Sequence, residues 1–150
     1  MKKKKLFFLV LIILALNLIW EFSHYRLYND LTQIPLTAHL ILASFTDIFW
    51  IFLVFLFVSL MNKSAKWMEK PKAEDYFLII FFGTVVSFLV EKINLNFGRW
   101  TYKEIMPIIA GIGVSPLLQL FVTGIISLII LRRISTSKQR RYSFLGAFFQ

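Results

Sequence analysis

Residues 37–61 read TAHLILASFTDIFWIFLVFLFVSLM, and this stretch decides the fold. A helix needs about 20 apolar residues to cross the roughly 30 Å hydrocarbon core of a bilayer, and this run is long enough. Three other runs share its character. Together they predict an all-α, polytopic membrane protein, a four-transmembrane-helix bundle forming a single domain over residues 1–150. The predicted helices cover about 6–22, 37–61, 76–93 and 107–131, followed by a basic tail at 132–150.

The composition supports lipid as the solvent of this chain. Hydrophobic residues make up 58% of the sequence, with 17 Phe in 150 residues, whereas a soluble domain has about 45–50% apolar residues. The net charge is +9, but the basic residues flank the apolar runs. We therefore expect the bilayer and its anionic headgroups as partners, and no nucleic acid. The absence of cysteine excludes disulfides and thiolate metal sites.

The placement of Lys and Arg predicts the topology. Thirteen of them lie before the first helix, in the connection 62–75 and in the tail, and four lie on the other side: Arg26, Lys92, Arg99 and Lys103. The positive-inside rule then places both termini in the cytoplasm of a multi-pass inner-membrane protein of bacterial type. Residues 1–20 also resemble a signal peptide, but Ala15-Leu16-Asn17 is a poor cleavage site, which favours an uncleaved helix.

Each predicted helix carries one polar stripe. Asp47 lies about ten residues into the second helix, where an Asp costs roughly 2.5–3.5 kcal/mol on insertion scales. Such residues usually face a bundle interior or an aqueous cavity. By the predicted topology the stripes meet in the outer half and describe an acid-lined polar cavity, although helix-fastening hydrogen bonds are the alternative. The stripes are Asn17, Glu21 and His24; His39, Ala43 and Thr46; Thr84, Ser87 and Glu91; and Ser115, Gln119 and Thr123.

These stripes supply the candidate site residues. A buried carboxyl can hold a proton and act as a general acid, so the catalytic candidates are Asp47, Glu91 and Glu21. Hard oxygen and nitrogen ligands are present, but without the spacing of a known metal motif. The sequence therefore predicts no metal and no cofactor. The ligand-binding candidates are His39, Arg99, Trp100, Tyr102, Gln119 and Asn17.

The start of the fourth helix allows two interpretations. Ser115-Pro116 has the pattern of an N-cap followed by Pro at the first helical position. The regular helix would then begin near Pro116, with residues 106–114 irregular or re-entrant. The interpretation that we favour is a single helix over 107–131 that is kinked at Pro116.

Several motifs resemble a family of small four-helix bacterial membrane proteins of unassigned function. The likeness covers roughly residues 17–120 and implies the topology but no activity. A weaker likeness is to carotenoid (lycopene) cyclase-like membrane proteins, to which Glu91, Gly98, Trp100 and Tyr102 would correspond. That family has a Pro-x-Glu-Glu-like motif where this chain has Pro116-Leu117-Leu118-Gln119. The motifs of the first likeness are Trp20-Glu21, Leu27-Tyr28, His39-Leu40, Asp47, Glu91, Gly98-Arg99-Trp100, Tyr102, Met106-Pro107 and residues 116–119.

The sequence leaves three classes of function open. The first is a protein that binds or acts on a lipid-like or isoprenoid molecule, with proton transfer as its chemistry if it is an enzyme. The second is a component that transports or binds a small solute, and the third is a structural subunit of a membrane complex. Four helices in 150 residues make a thin bundle, which favours a homo-oligomer.

Overall fold

A computed structural model describes residues 3–147, with side chains for residues 3–134. The chain is 77% helical, and four helices are long and apolar enough to span a membrane, which confirms the predicted helical bundle. The predicted basic tail, apart from Arg132 and Arg133, has its side chains outside the described residues. The helices are α1 (Lys3–His24), α2 (Leu36–Met61), α3 (Ala73–Asn96) and α4 (Val114–Ala147).

The four helices pack as a ring in which α1 contacts α2 and α4, and α3 contacts the same two helices. Consecutive helices run in opposite directions. One end of the bundle carries four short strands and is called the strand end below. The other end carries the start of α1 and the connection from α2 to α3, and it is called the Trp67 end.

The core of the half of the bundle toward the Trp67 end is mostly apolar. Leu9, Ile13, Ile51 and Phe55 are all at most 1% exposed there. Trp67 lies in a short 3-10 helix (Ala65–Glu69) and packs edge-on against Phe55, with 5.6 Å between ring centroids. Its indole donates to Ser59 Oγ at 2.8 Å. This tryptophan therefore closes the core, whereas its position in the sequence predicts an anchor at the membrane interface.

Helices α3 and α4 approach each other most closely at Gly83. A Cβ at this position would lie 2.7 Å from the Cβ of Phe121 and 3.2 Å from its backbone. Real side chains do not reach such distances, so only glycine permits this contact. A larger residue would force the two helices apart.

Two small antiparallel sheets cover the strand end. Strand β1 (Tyr28–Asp30) pairs with β2 (Trp100–Tyr102), so Tyr28 lies opposite Tyr102. Strand β2 returns across the end of α3 because Gly98, the residue after the C-cap Phe97, has a φ of 63°. The Gly98 N–H donates to the Leu95 carbonyl, and the Arg99 N–H donates to the Asn94 carbonyl. These two bonds form a Schellman motif.

The segment 108–113 forms a hairpin of β3 (Ile108–Ile109) and β4 (Ile112–Gly113). The prediction of a helix over 107–131, kinked at Pro116, is therefore wrong at its start. Ala110 and Gly111 both have positive φ, as a two-residue hairpin turn requires and a right-handed helix forbids. The hairpin closes with a bond from the Val114 N–H to the Pro107 carbonyl at 2.8 Å. The other interpretation, an irregular segment over 106–114, is closer to the structure, although α4 begins at Val114 rather than at Pro116.

Candidate functional site

Five polar side chains meet between α1, α2 and α4 and form what we call the carboxyl–amide cluster: Asn17, Glu21, Asp47, Gln119 and Thr123. At its centre, Gln119 Nε2 donates to Glu21 Oε1 and to Asp47 Oδ2, both at 2.7 Å. The same nitrogen lies 3.3 Å from Asn17 Oδ1. The carboxyl groups of Asp47 and Glu21 also contact each other within hydrogen-bonding reach. One amide group thus faces two carboxyl groups and an amide oxygen.

The cluster is deeply buried on three sides. Asn17, Glu21, Gln119 and Thr123 are between 0% and 9% exposed, whereas Asp47 is only partly buried. Asn17 is held by a bond from its Nδ2 to the Ile13 carbonyl at 2.9 Å, one turn earlier in α1. Thr123 donates to the Gln119 carbonyl at 2.7 Å, one turn earlier in α4. Asp47 is accordingly the least buried member of the cluster.

A histidine links this cluster to the strand end. His24 Nε2 lies 3.3 Å from Glu21 Oε2, and its Nδ1 lies 2.7 Å from Ser115 Oγ in the first turn of α4. The ring is 8% exposed and contacts the Tyr28 ring, with 5.2 Å between centroids. Because the Nε2–H tautomer donates to the carboxylate, Nδ1 then accepts the Ser115 hydroxyl proton.

Glu91 forms a second centre, the Glu91 cluster, with Tyr28, Trp100 and Tyr102. Trp100 Nε1 and the Tyr102 hydroxyl donate to the same oxygen, Glu91 Oε1, at 3.1 and 2.7 Å. Residues two apart in a strand face the same side, which is why β2 presents both donors to the carboxyl. Burial, together with the Glu91 carboxyl, raises the pKa of the Tyr28 and Tyr102 hydroxyls, so both remain hydrogen-bond donors.

The two remaining predicted site residues bond to neither carboxyl centre, although the His39 ring lies 6.2 Å from the Trp100 ring between centroids. His39 Nδ1 contacts Asp30 Oδ2 at 2.5 Å, and Arg99 donates to Asn94 Oδ1 at 2.9 Å rather than to Glu91. Burial alone would raise the pKa of Asp30, but hydrogen bonds from the Thr32 N–H and hydroxyl and from His39 leave it below its usual value. Asp30 is therefore an anion at neutral pH.

Metal ligation has no geometric support in the described part of the chain. Among residues 3–134, no group of three or more His, Cys, Asp or Glu side chains converges on one point. His39 is bound to Asp30, away from the Glu21–Asp47 pair, and Glu91 is surrounded by neutral donors.

Sequence reasoning missed the contributions of Tyr28 and Asp30, and it gave His24 and Ser115 no link to each other or to Glu21. Tyr28 and Asp30 reach their partners through the pairing of β1 with β2, which joins segments far apart in the chain. The alternating pattern of Trp100-Thr101-Tyr102 was the available signal, but three residues are too few to establish a strand.

Two buried polar atoms in the described residues have no protein hydrogen-bond partner: Trp20 Nε1 and Ser87 Oγ. Trp20 precedes Glu21 in α1, and its ring contacts the His24 ring with 6.3 Å between centroids. Buried polar groups in native structures are nearly always paired. The indole N–H is therefore available to a polar group of a bound molecule beside the carboxyl–amide cluster.

No protein-family model, curated protein or solved structure matches this chain. The comparisons therefore provide no relative from which a function can be taken, and the argument for function depends on the two clusters alone.

Proposed function

We propose that this chain is a multi-pass protein of the bacterial inner membrane that binds, or acts by proton transfer on, a lipid-like amphiphile at the Glu21–Asp47 pair. The observation that carries the proposal is the contact of two carboxyl groups with one Gln119 nitrogen at 2.7 Å each. Ionisable groups at membrane depth are rare, and where they occur they usually mark a functional site.

The pair has the chemistry of an acid and its conjugate base. Two carboxylates in contact within a low-dielectric interior repel each other, so the pair holds one proton between them. A group that holds a proton beside a hydrocarbon environment can deliver it to a double bond or a leaving group of a substrate. In this proposal Asp47 faces the substrate, Glu21 exchanges the proton with it, and Gln119 positions both.

A lipid-like ligand fits the surroundings better than a soluble one. Asp47 is the least buried member of the cluster, and Ala43 and Trp50, which share its face of α2, are only partly buried. A molecule that approaches from the bilayer reaches Asp47 along this apolar face. Conduction of a solute through the bundle is disfavoured, because the half toward the Trp67 end is packed with apolar side chains.

The membrane topology is part of the proposal. The basic residues Lys3–Lys5, the connection 62–72 and Arg132-Arg133 lie at the Trp67 end, so this end is cytoplasmic by the positive-inside rule. The natural chain has no cysteine. A single cysteine introduced as Lys103→Cys should react with an impermeant maleimide on intact cells, and Lys70→Cys should react only after lysis. The reverse pattern would invert the topology.

The ligand can be tested without knowing its identity. The full-length protein is purified in mild detergent, and its organic extract is compared by mass spectrometry with the extracts of Asp47→Asn and Thr46→Val. Thr46 is a matched control because its hydroxyl bonds only to α2 carbonyls, those of Leu42 and Ala43. We expect one amphiphile to fall about tenfold in Asp47→Asn, the effect of about 1.4 kcal/mol of binding. Equal extracts from all three would overturn the proposal.

A structural role is the second candidate, and one observation favours it. Gln119 joins α4 to α1 and α2 through single bonds of 2.7 Å, so the cluster fastens three helices. In that case Asp47→Leu should prevent assembly of the bundle. A folded Asp47→Leu protein that has lost its bound amphiphile would exclude this candidate.

A further inference from the structure

We infer that His24 is the proton entry of the Glu21–Asp47 pair, and that this pair exchanges protons with the strand end alone. The inference rests on the proposed proton-holding role of the pair, and it adds a direction and a relay residue. Its geometric basis is the line Asp47, Glu21, His24, Ser115, whose members are in contact one after another.

The transfer through the ring is balanced in atoms. A proton from water at the strand end reaches Nδ1 of neutral His24, through the Ser115 hydroxyl, which gives one proton and takes another. A bond then forms between Nδ1 and hydrogen, the bond between Nε2 and its hydrogen breaks, and Glu21 Oε2 takes that proton at 3.3 Å. Imidazole is suited to this because its two nitrogens accept and donate on opposite sides.

Every element packed around His24 contributes a group that favours this path. Glu21 and Trp20 face it from α1, Ser115 from α4, and Tyr28 from β1 at 5.2 Å between ring centroids. The Glu91 carboxyl of α3 is close enough to interact electrostatically with it.

The opposite direction is closed by the sequence and by the packing. Residues 6–16, 48–61, 77–90 and 116–131 contain no Asp, Glu, His, Lys, Arg or Tyr. The interior of these segments is packed with apolar side chains such as Ile13, Ile51 and Phe55, each at most 1% exposed. The buried hydroxyls of Thr123 and Ser127 donate to carbonyls of their own helix. No titratable side chain in these four segments can carry a proton from the Trp67 end to the pair.

Infrared spectroscopy can measure the exchange directly. The full-length protein is reconstituted in liposomes and transferred from H₂O to D₂O, and the shift of the protonated carboxyl C=O band with time gives the exchange rate. We expect His24→Phe and His24→Gln to slow this rate about tenfold or more, a modest part of what a positioned proton-transfer group contributes. The matched control is Ser23→Ala, next to His24 in α1, which should leave the rate unchanged because the exposed Ser23 hydroxyl bonds to the Trp20 carbonyl of its own helix.

The side of access is tested with Lys103→Cys and a carbodiimide that modifies protonated carboxyls. An impermeant maleimide tags the molecules whose strand end faces outward, and intact mass then separates the two orientations. Carbodiimide modification should respond to external pH only in the tagged molecules, and it should be reduced by Asp47→Asn. An equal response in both orientations, or wild-type exchange in both His24 variants, would overturn the inference. If the wild-type protein has no carboxyl band, the proposed pair itself fails instead.

Discussion

The two carboxyl centres of this molecule lie in the same half of the bundle but are satisfied in different ways. One oxygen of Glu91 receives the Trp100 N–H and the Tyr102 O–H, both neutral donors fixed by a strand. Glu21 and Asp47 instead accept from one nitrogen and contact each other. Glu91 thus has two donors of its own, whereas the two carboxyl groups of the pair share one donor. This difference is why we propose the pair, rather than Glu91, as the site of chemistry.

The largest expected difference in stability between the two centres comes from replacing Glu91 or Asp47 by leucine. Glu91→Leu leaves the indole N–H and the Tyr102 hydroxyl without their acceptor, at about 1–3 kcal/mol for each buried donor. We expect about 3 kcal/mol less free energy of unfolding for this variant. Asp47→Leu removes one of two competing acceptors, and Gln119 still donates to Glu21, so we expect a neutral or stabilising effect.

Both variants can be measured by denaturant unfolding in detergent, followed by circular dichroism. Equal losses of stability in the two variants would contradict the distinction between the centres. Ser44→Ala is a suitable control on α2, because its buried hydroxyl bonds to the Leu40 carbonyl of its own helix at 2.9 Å.

A smaller effect is expected from Tyr102→Phe, which removes one donor from Glu91 and keeps the ring. The loss of unfolding free energy should be about 1 kcal/mol, the usual net value of one hydrogen bond. Tyr25→Phe provides the control, since Tyr25 is 41% exposed in the 3-10 turn after α1. The same unfolding assay distinguishes them, and a larger loss in Tyr25→Phe would show that the Glu91 contact contributes little.

The smallest expected effect is the loss of stability when acid protonates Asp30, which contacts His39 outside both centres. The pKa of Asp30 is lower in the folded protein than its usual value. Its contribution is therefore complete above the unfolded value of about 4 and is lost as the pH falls through the lower folded value. We expect less than about 1 kcal/mol, since the side chains are partly exposed.

Comparing wild type with Asp30→Asn between about pH 6 and about pH 3 measures that contribution. The difference in unfolding free energy between the two proteins should disappear at the lower pH. The substitution should not affect the Glu21–Asp47 pair. A gap that widens on acidification would mean that the direction of the Asp30 shift is wrong.

The sequence predicted the four helices because a span of about 20 apolar residues is a strong signal by itself. It also predicted that Asn17, Glu21 and Gln119 face the interior, since helical spacing places each on a buried stripe. Both predictions use only local periodicity, and the structure brings these residues together.

The features of the site that could not be predicted from the sequence depend on contacts between distant segments. The Schellman turn at Gly98 decides that Trp100 and Tyr102, rather than Arg99, face Glu91. The pairing of β1 with β2 brings in Tyr28, and the turn at Ala110-Gly111 delays the start of α4. Strands of two or three residues carry too little periodicity to be recognised in advance.

The account depends most on the single proton held by Glu21 and Asp47. Infrared spectra of the full-length protein in liposomes near neutral pH test this directly through the C=O band of a protonated carboxyl. The account predicts that the wild type and Glu91→Gln have this band and that both Asp47→Asn and Glu21→Gln lose it. A wild-type spectrum without the band, or a band that disappears only in Glu91→Gln, would contradict it.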